Sequence, residues 1–294
     1  MPAGFRFTMS IDHYENFPVA SVLCPPALRA PITAIYGFAR TADDIADEGD
    51  APASQRLADL RSYRDQLMSI AAGKPPEPRW AHVFGPLQRA LRAHALPLPL
   101  LQDLLSAFEQ DVVKSCYADR QDLLDYCRRS ANPVGRLLLH LYGIATPAAL
   151  VQSDQICTAL QLINFWQDLS VDVPRGRLYL PEMDRARHRV TASDLTGGDN
   201  ERTRSLVRDL AAWARDLMMN GQPLVHALPG RAGWELRFVV QGGLCILDKI
   251  ERMQYSTLRQ RPTLGWRDAP GLFWRTLTMR ASSAIALRKA GHDT

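Results

Sequence analysis

Several familiar chemistries are missing from this sequence. No CxxC pair occurs among its five cysteines, Cys24, Cys116, Cys127, Cys157 and Cys245. Their odd number reads against a zinc ribbon or a disulfide framework and fits a reducing compartment. GxGxxG, Walker A and HExxH are absent, and no glutamate has a histidine three residues on. These absences argue against a Rossmann nicotinamide site, a P-loop NTPase, a zinc protease and a di-iron carboxylate bundle. No run approaches the roughly 18 apolar residues of a membrane-spanning helix, and the N-terminus lacks the apolar core of a signal peptide, so a cytoplasmic location is expected. Lysine is scarce, with only Lys74, Lys114, Lys249 and Lys289 among 35 basic residues. The remaining 31 are arginines, whose forks suit phosphate oxygens, although a bias of the source genome explains the same number. The basic residues alternate with acids at a net charge of only +4, which speaks against a nucleic-acid groove.

What is present is helical periodicity. No stretch of alternating β-branched residues stands out, and the 46% hydrophobic content of 294 residues is ample for a sizeable core. The pattern predicts an all-α fold with helices near 26–48, 54–72, 80–94, 98–116, 121–144, 147–173, 201–227, 231–257 and 266–289. "GKPPEP" (73–78) and "LPLP" (96–99) punctuate them, Thr146 and Pro147 form an N-cap and N1 pair, and "SDLTGGDN" (193–200) reads as a loop. No repeat or shift of composition marks a boundary, so residues 1–294 are expected to form a single domain, with 266–294 as a C-terminal helix and tail.

Two polar stripes interrupt otherwise apolar helices. In the predicted helix that holds "GFARTADDIADEGD" (37–50), Tyr36, Arg40, Asp43 or Asp44, and Asp47 fall at spacings of three and four and share one face, flanked by Ile35, Phe38, Ala39, Ala42, Ile45 and Ala46. In "ALQLINFWQDLSVDVPRGRLYLP" (159–181), Asn164, Asp168 and Asp172 repeat that spacing on a helix apolar nearly all round. A solvated face with ordinary ion pairs accounts for either stripe alone. Two DxxxD stripes, Asp43/Asp47 and Asp168/Asp172, fit better as the lining of an internal cavity, with arginines or metal ions compensating the carboxylates. One helical turn rises about 5.4 Å, so each pair can bracket a divalent cation, and Mg²⁺ favours a few carboxylates plus waters and phosphate oxygens.

With these motifs the chain resembles the squalene and phytoene synthase family over residues 12 to 260 or so. The resemblance implies a class I isoprenoid synthase: an all-α bundle around a central cavity in which two aspartate-rich helices hold a diphosphate through Mg²⁺. "YGFARTADDIAD" is similar to the family's first motif, "QLINFWQDLSVDVPRGRLYLP" to its second, and "DYCRRSANPVG" (125–135) to the segment between them. Carried over, they imply Asp43, Asp47, Asp168 and Asp172 as metal ligands and Tyr36, Arg40, Tyr126, Asn164 and Tyr179 as catalytic residues. Substrate contacts are implied for His13, Asn16, Phe17, Gln161, Phe165, Trp166, Arg175 and Arg177. Phe17, Tyr36, Tyr126, Phe165 and Trp166 would line the pocket of a carbocation, whose charge aromatic faces stabilise. His13, Asn16 and Tyr126 are candidates to position a quenching water.

Departures narrow the choice. The family's Asn-Ile-Leu-Arg-Asp tract reads Asn164-Phe165-Trp166-Gln167-Asp168 here, replacing a phosphate-facing arginine, and "GGLCILDKI" (242–250) places Gly243 where many members keep a tyrosine. "DHYENFPVAS" (12–21) with "ANPVG" resembles the hydroxysqualene-forming branch of bacterial hopanoid pathways. That resemblance implies presqualene diphosphate and water as substrates, and pairing with a presqualene diphosphate synthase and a hydroxysqualene reductase. Rival readings are another enzyme of the family, making presqualene diphosphate, squalene, dehydrosqualene or phytoene, and a non-catalytic isoprenoid-binding protein. Finally, "GLFWRTLTMRASSAIALRKAG" (271–291) mixes large apolar residues with arginines, a pattern that packs on a bundle or lies peripherally on the inner face of an anionic membrane.

Overall fold

The computed structural model describes residues 24–279. Among these, fourteen α-helices and three short 3-10 turns follow one another without a strand; an isolated parallel bridge joins Cys116 to Leu178. The helices are α1 Pro26–Asp47, α2 Ala53–Ala71, α3 Ala81–His94, α4 Leu98–Asp111, α5 Arg120–Ser130, α6 Asn132–Leu141 and α7 Pro147–Gln167. They continue as α8 Leu169–Asp172, α9 Glu182–Arg187, α10 Ala192–Gly197, α11 Glu201–Gly221, α12 Leu224–Ala227, α13 Gly230–Arg252 and α14 Ala269–Thr278.

The early boundaries follow the periodicity, and Thr146 caps α7 by accepting from the Ala149 amide. Elsewhere local chemistry divides what periodicity had joined. Pro133 lies in the first turn of α6, where its missing N–H is not needed, and splits the expected 121–144 helix into α5 and α6. Helix α4 stops at Asp111, short of the expected residue 116. Helix α7 ends at Gln167, and Asp168 is its C-cap. The segment expected as a loop at 193–200 is partly helical: Thr191 and Asp194 form a capping box that starts α10. Pro223 begins a separate short helix after α11, and α9 was not anticipated. Of the expected 266–289 helix, residues 280–289 lie outside the described residues.

Two hydrophobic clusters hold these helices. The first gathers α1 to α4 around Phe38, Tyr63, Trp80 and Phe84. Phe38 and Tyr63 stack at 5.3 Å, Trp80 meets Tyr63 edge-on at 5.1 Å, and the Tyr63 hydroxyl donates to the Phe38 carbonyl at 3.1 Å. The second is built on α7, buried on nearly every side, with α5, α11 and α13 around it. Helix α6 gives Leu137 to the first cluster and Leu139 to the second. A cavity lies between the two clusters.

Helices α7 and α11 approach closely at Gly221, where a Cβ would come within 2.6 Å of the Gln152 carbonyl oxygen and 3.0 Å of the Ile156 amide nitrogen. Backbone cannot yield as a flexible side chain does. Gly221→Ala is therefore expected to cost roughly 1–3 kcal/mol, read as a lower midpoint in urea unfolding.

Candidate active site

The cavity encloses about 440 Å³. Its lining changes character along each wall. On α1 the lining runs Ile32, Ile35, Tyr36, Ala39, Arg40, Asp43, Asp47, and on α7 it runs Ser153, Ile156, Leu160, Gln161, Asn164, Phe165, with Asp168 just beyond. Both helices therefore go from apolar to acidic in chain direction. The opposite face of α1, carrying Ala34, Phe38, Ala42 and Ala46, is buried in the first cluster. That division answers why so apolar a helix carries so many carboxylates: one side packs and the other lines an interior space. Leu224, Leu228, Leu236 and Val239 add to the apolar walls.

Three helices end at the acidic part. Asp47 is the last residue of α1, Asp111 is the last residue of α4, and Asp168 caps α7; none of these helices has a basic residue in its last turn. The C-terminal end of a helix carries the negative pole of its dipole and ordinarily prefers cations. Here carboxylates are added to that pole three times. The arrangement creates a strong demand for positive charge.

Part of that demand is met by arginines. Arg177 forks onto Asp47, with Nη1 2.8 Å from Oδ2, and so ties the second motif to the first across 130 residues. Arg40 reaches Asp43 at 3.1 Å and Asp44 at 2.8 Å on its own helix. Arg261 forks onto Asp168, its Nη2 3.1 Å from Oδ2. Two carboxyls still hold their protons unusually well. Burial, then the Asp168 charge, pushes Asp172 up to about 6. Burial, reinforced by the charges of Asp47 and Asp43, pushes Asp111 up to about 7, although the Tyr126 hydroxyl donates to it at 2.8 Å. Burial likewise raises the phenols of Tyr126 and Tyr179.

Beside the carboxylates is a layer of rings. Phe165 and Tyr179 stack at 3.7 Å and 7°, and Tyr126 stands 6.2 Å from Phe165. Such faces favour a cation. As oxygen donors, Asp43, Asp47, Asp168 and Asp172 face this end from two sides. Among the described residues no three acidic, histidine or cysteine side chains cluster tightly enough to hold a metal ion by themselves. A hard divalent cation here would need water and ligand oxygens to complete its shell, which is the habit of Mg²⁺.

Of the residues singled out in the sequence, Tyr36, Arg40, Asp43, Asp47, Tyr126, Gln161, Asn164, Phe165, Asp168, Asp172, Arg177 and Tyr179 line this one cavity. Trp166 does not. It lies outside the lined face of α7, about 200° around the helix from Asn164, and is fully buried in the second cluster. Arg175 is exposed outside the lining and reaches the site only through its charge on Asp172. His13, Asn16 and Phe17 lie outside the described residues. Asp111, Arg261 and Ser130 were not anticipated: Asp111 and Arg261 stand outside both aspartate stripes, and in "DYCRRSANPVG" only the tyrosine was singled out.

A sequence model of the squalene/phytoene synthase family matches residues 12–268. The chain belongs to the squalene/phytoene synthase family. It is 36% identical over 251 residues to the hydroxysqualene synthase of Sinorhizobium fredii, covering 84% of this chain and 82% of that one. The presqualene diphosphate synthase of Rhodopseudomonas palustris is 34% identical over 181 residues, 61% of this chain and 63% of that protein. The crystal structure of squalene synthase HpnC from Alicyclobacillus acidocaldarius superposes with a TM-score of 0.76 at 34% identity, over 83% of this chain and 90% of the other. The protein thus has the helical fold of isoprenoid synthases and the activity of an isoprenoid-synthesising enzyme family.

Two departures from the family's motifs now have positions. Gln167 is not part of the cavity lining; its side-chain amide donates to the Pro262 carbonyl at 2.7 Å. Gly243 packs into the core, where a Cβ would meet Met218, Leu160 and Ile163 at 3.0 to 3.2 Å. It does not face the substrate space. A tyrosine at that position would require the core to rearrange.

The raised Asp111 carboxyl has a measurable consequence. Its folded-state value of about 7 exceeds the ordinary 3.8, so the folded protein keeps a proton that the unfolded chain has released. Stability should accordingly fall as pH rises from about 4 to about 7. Asp111→Asn, which preserves an acceptor for Tyr126, is expected to raise the melting temperature at pH 8 by roughly 3 °C or more in a chelated, substrate-free sample. It should also flatten the pH dependence below neutrality, as followed by circular dichroism.

Proposed function

We propose that the protein is a hydroxysqualene synthase, ionising presqualene diphosphate and capturing the rearranged cation with water. The observation that carries this choice is the 36% identity to the hydroxysqualene synthase of Sinorhizobium fredii over 84% of this chain. The cavity, with one acidic end and one apolar body, supports the same reading.

In this reading the diphosphate lies at the acidic end and the hydrocarbon along the apolar walls. Asp43, Asp47, Asp168 and Asp172 would hold Mg²⁺, which when bound supplies Lewis-acid neutralisation of the leaving diphosphate. Arg40 and Arg177, both in the cavity lining, add charged donors to the phosphate oxygens. Tyr126, Phe165 and Tyr179 present ring faces to the cation left behind. Ser130 stands one helical turn beyond Tyr126 on the same wall, and its Oγ is buried without a hydrogen-bond partner. We assign it the quenching water. Water adds to the cationic carbon through a new C–O bond, and the proton it loses passes to the departing diphosphate. Supply of the substrate requires a synthase that joins two C15 diphosphates, and the allylic alcohol product requires a reductase to become squalene.

Incubation with presqualene diphosphate and Mg²⁺, followed by mass spectrometry of the lipid extract, tests the proposal directly. Efficient turnover of farnesyl diphosphate alone would overturn it in favour of a condensing enzyme. Failure to release diphosphate from any prenyl substrate would favour a binding protein. Asp168→Ala should reduce turnover by about 100-fold or more while the helical circular dichroism persists. Ser130→Ala should leave diphosphate release largely intact and lower the hydroxylated share of the product several-fold; an unchanged product ratio removes Ser130 from the water's path.

A further inference from the structure

Large exposed aromatic side chains are concentrated in one place. Among the described residues, Trp234, Trp266, Phe273 and Trp274 are 37%, 78%, 56% and 68% exposed, and Leu277 beside them is 47% exposed. The Phe238 and Phe273 rings approach to 6.4 Å, joining α13 and α14 into one surface. Soluble proteins rarely leave such side chains contiguous without a partner.

Charge indicates which partner. Arg237 covers the Trp234 ring at 4.6 Å and Arg267 the Trp266 ring at 5.4 Å. The neighbouring acids are already neutralised, Asp248 by Arg215 and Arg275, and Asp268 by Lys249. Residues 269–292 contain no aspartate or glutamate and carry Arg275, Arg280, Arg288 and Lys289. Tryptophan with arginine is the composition favoured at the headgroup level of a bilayer, and clustered basic residues favour an anionic one.

The position of this surface relates it to the cavity. On α13, Ala232, Glu235, Leu236 and Val239 line the cavity, while Trp234 and Phe238 point outward. At about 100° per residue the two sets face directions roughly 130° apart. One helix thus separates the apolar part of the cavity from the exposed aromatics. We propose that the α13/α14 aromatic surface docks the protein on an anionic lipid bilayer, holding the hydrocarbon end of the cavity next to the phase in which its substrate and product dissolve. The benefit to catalysis rests on the isoprenoid reading of the cavity. Docking itself is measured without substrate, so failure of one is distinguishable from failure of the other.

The test is flotation of the full-length protein with phosphatidylcholine vesicles, with and without an equal share of phosphatidylglycerol, alongside tryptophan emission. Binding to the anionic vesicles, a blue-shifted emission and release in high salt are expected. The triple variant Trp266→Ser, Phe273→Ser, Trp274→Ser should weaken binding roughly tenfold or more. Absence of vesicle binding by the natural sequence, equal binding to pure phosphatidylcholine, or undiminished binding by a folded triple variant would each overturn the proposal. If the triple variant fails to fold, the emission shift of the natural sequence decides, and no shift overturns it. A dimer in sedimentation that the triple variant dissolves, without lipid binding, would assign the surface to a second copy of the chain and likewise overturn it.

Discussion

Three helices end with an aspartate at the place where their own dipoles are already negative. Asp47, Asp111 and Asp168 are terminal or capping residues of α1, α4 and α7. The cost of bringing them together is spread over several devices. Arg177 and Arg261 fork onto Asp47 and Asp168, and the carboxyls of Asp111 and Asp172 shift toward their protonated forms. Each device answers the same excess of negative potential, and a bound cation would answer it again. The electrostatic imbalance is a property of the fold's topology, because it requires three separate chain segments to stop at one point.

The rest of the architecture maintains that convergence. Phe38, Tyr63, Trp80 and Phe84 fix α1 from behind, while the tightly surrounded α7 is fixed by α11 at Gly221. Two hydrophobic clusters thus hold the two motif-bearing helices, and the cavity occupies the space between them. Because α1 and α7 both run from apolar to acidic, the space acquires a hydrocarbon-compatible body and a charged end without any dedicated partition. Only the choice of side chain at each helical turn separates the two environments.

Much of this was legible in the one-dimensional pattern. Spacings of three and four placed Tyr36, Arg40, Asp43 and Asp47 on one face, and the same rule placed Asn164 and Asp168 together. Helix existence followed from periodicity, whereas helix ends were misplaced wherever a single residue intervened, as at Pro133. The prediction for Trp166 failed because the lined face of α7 carries Leu160, Gln161, Asn164 and Phe165, and Trp166 falls beyond its edge, inside the second cluster. Asp111 left no signal, since an aspartate that follows Glu109 and Gln110 at the end of a helix is indistinguishable in sequence from a surface terminus.

The sequence by itself determined the all-α class, the two aspartate stripes and the family, because helical periodicity and short motifs are local and survive without coordinates. Tertiary structure decided which stripe residues share a cavity, that Arg177 and Arg261 answer Asp47 and Asp168, and that Asp111 joins them. It also decided that Gln167 and Gly243 face away from the substrate space. These relations depend on contacts between residues as far apart as Asp47 and Arg177, whose meeting is fixed by how the two hydrophobic clusters pack and not by any local preference of the chain.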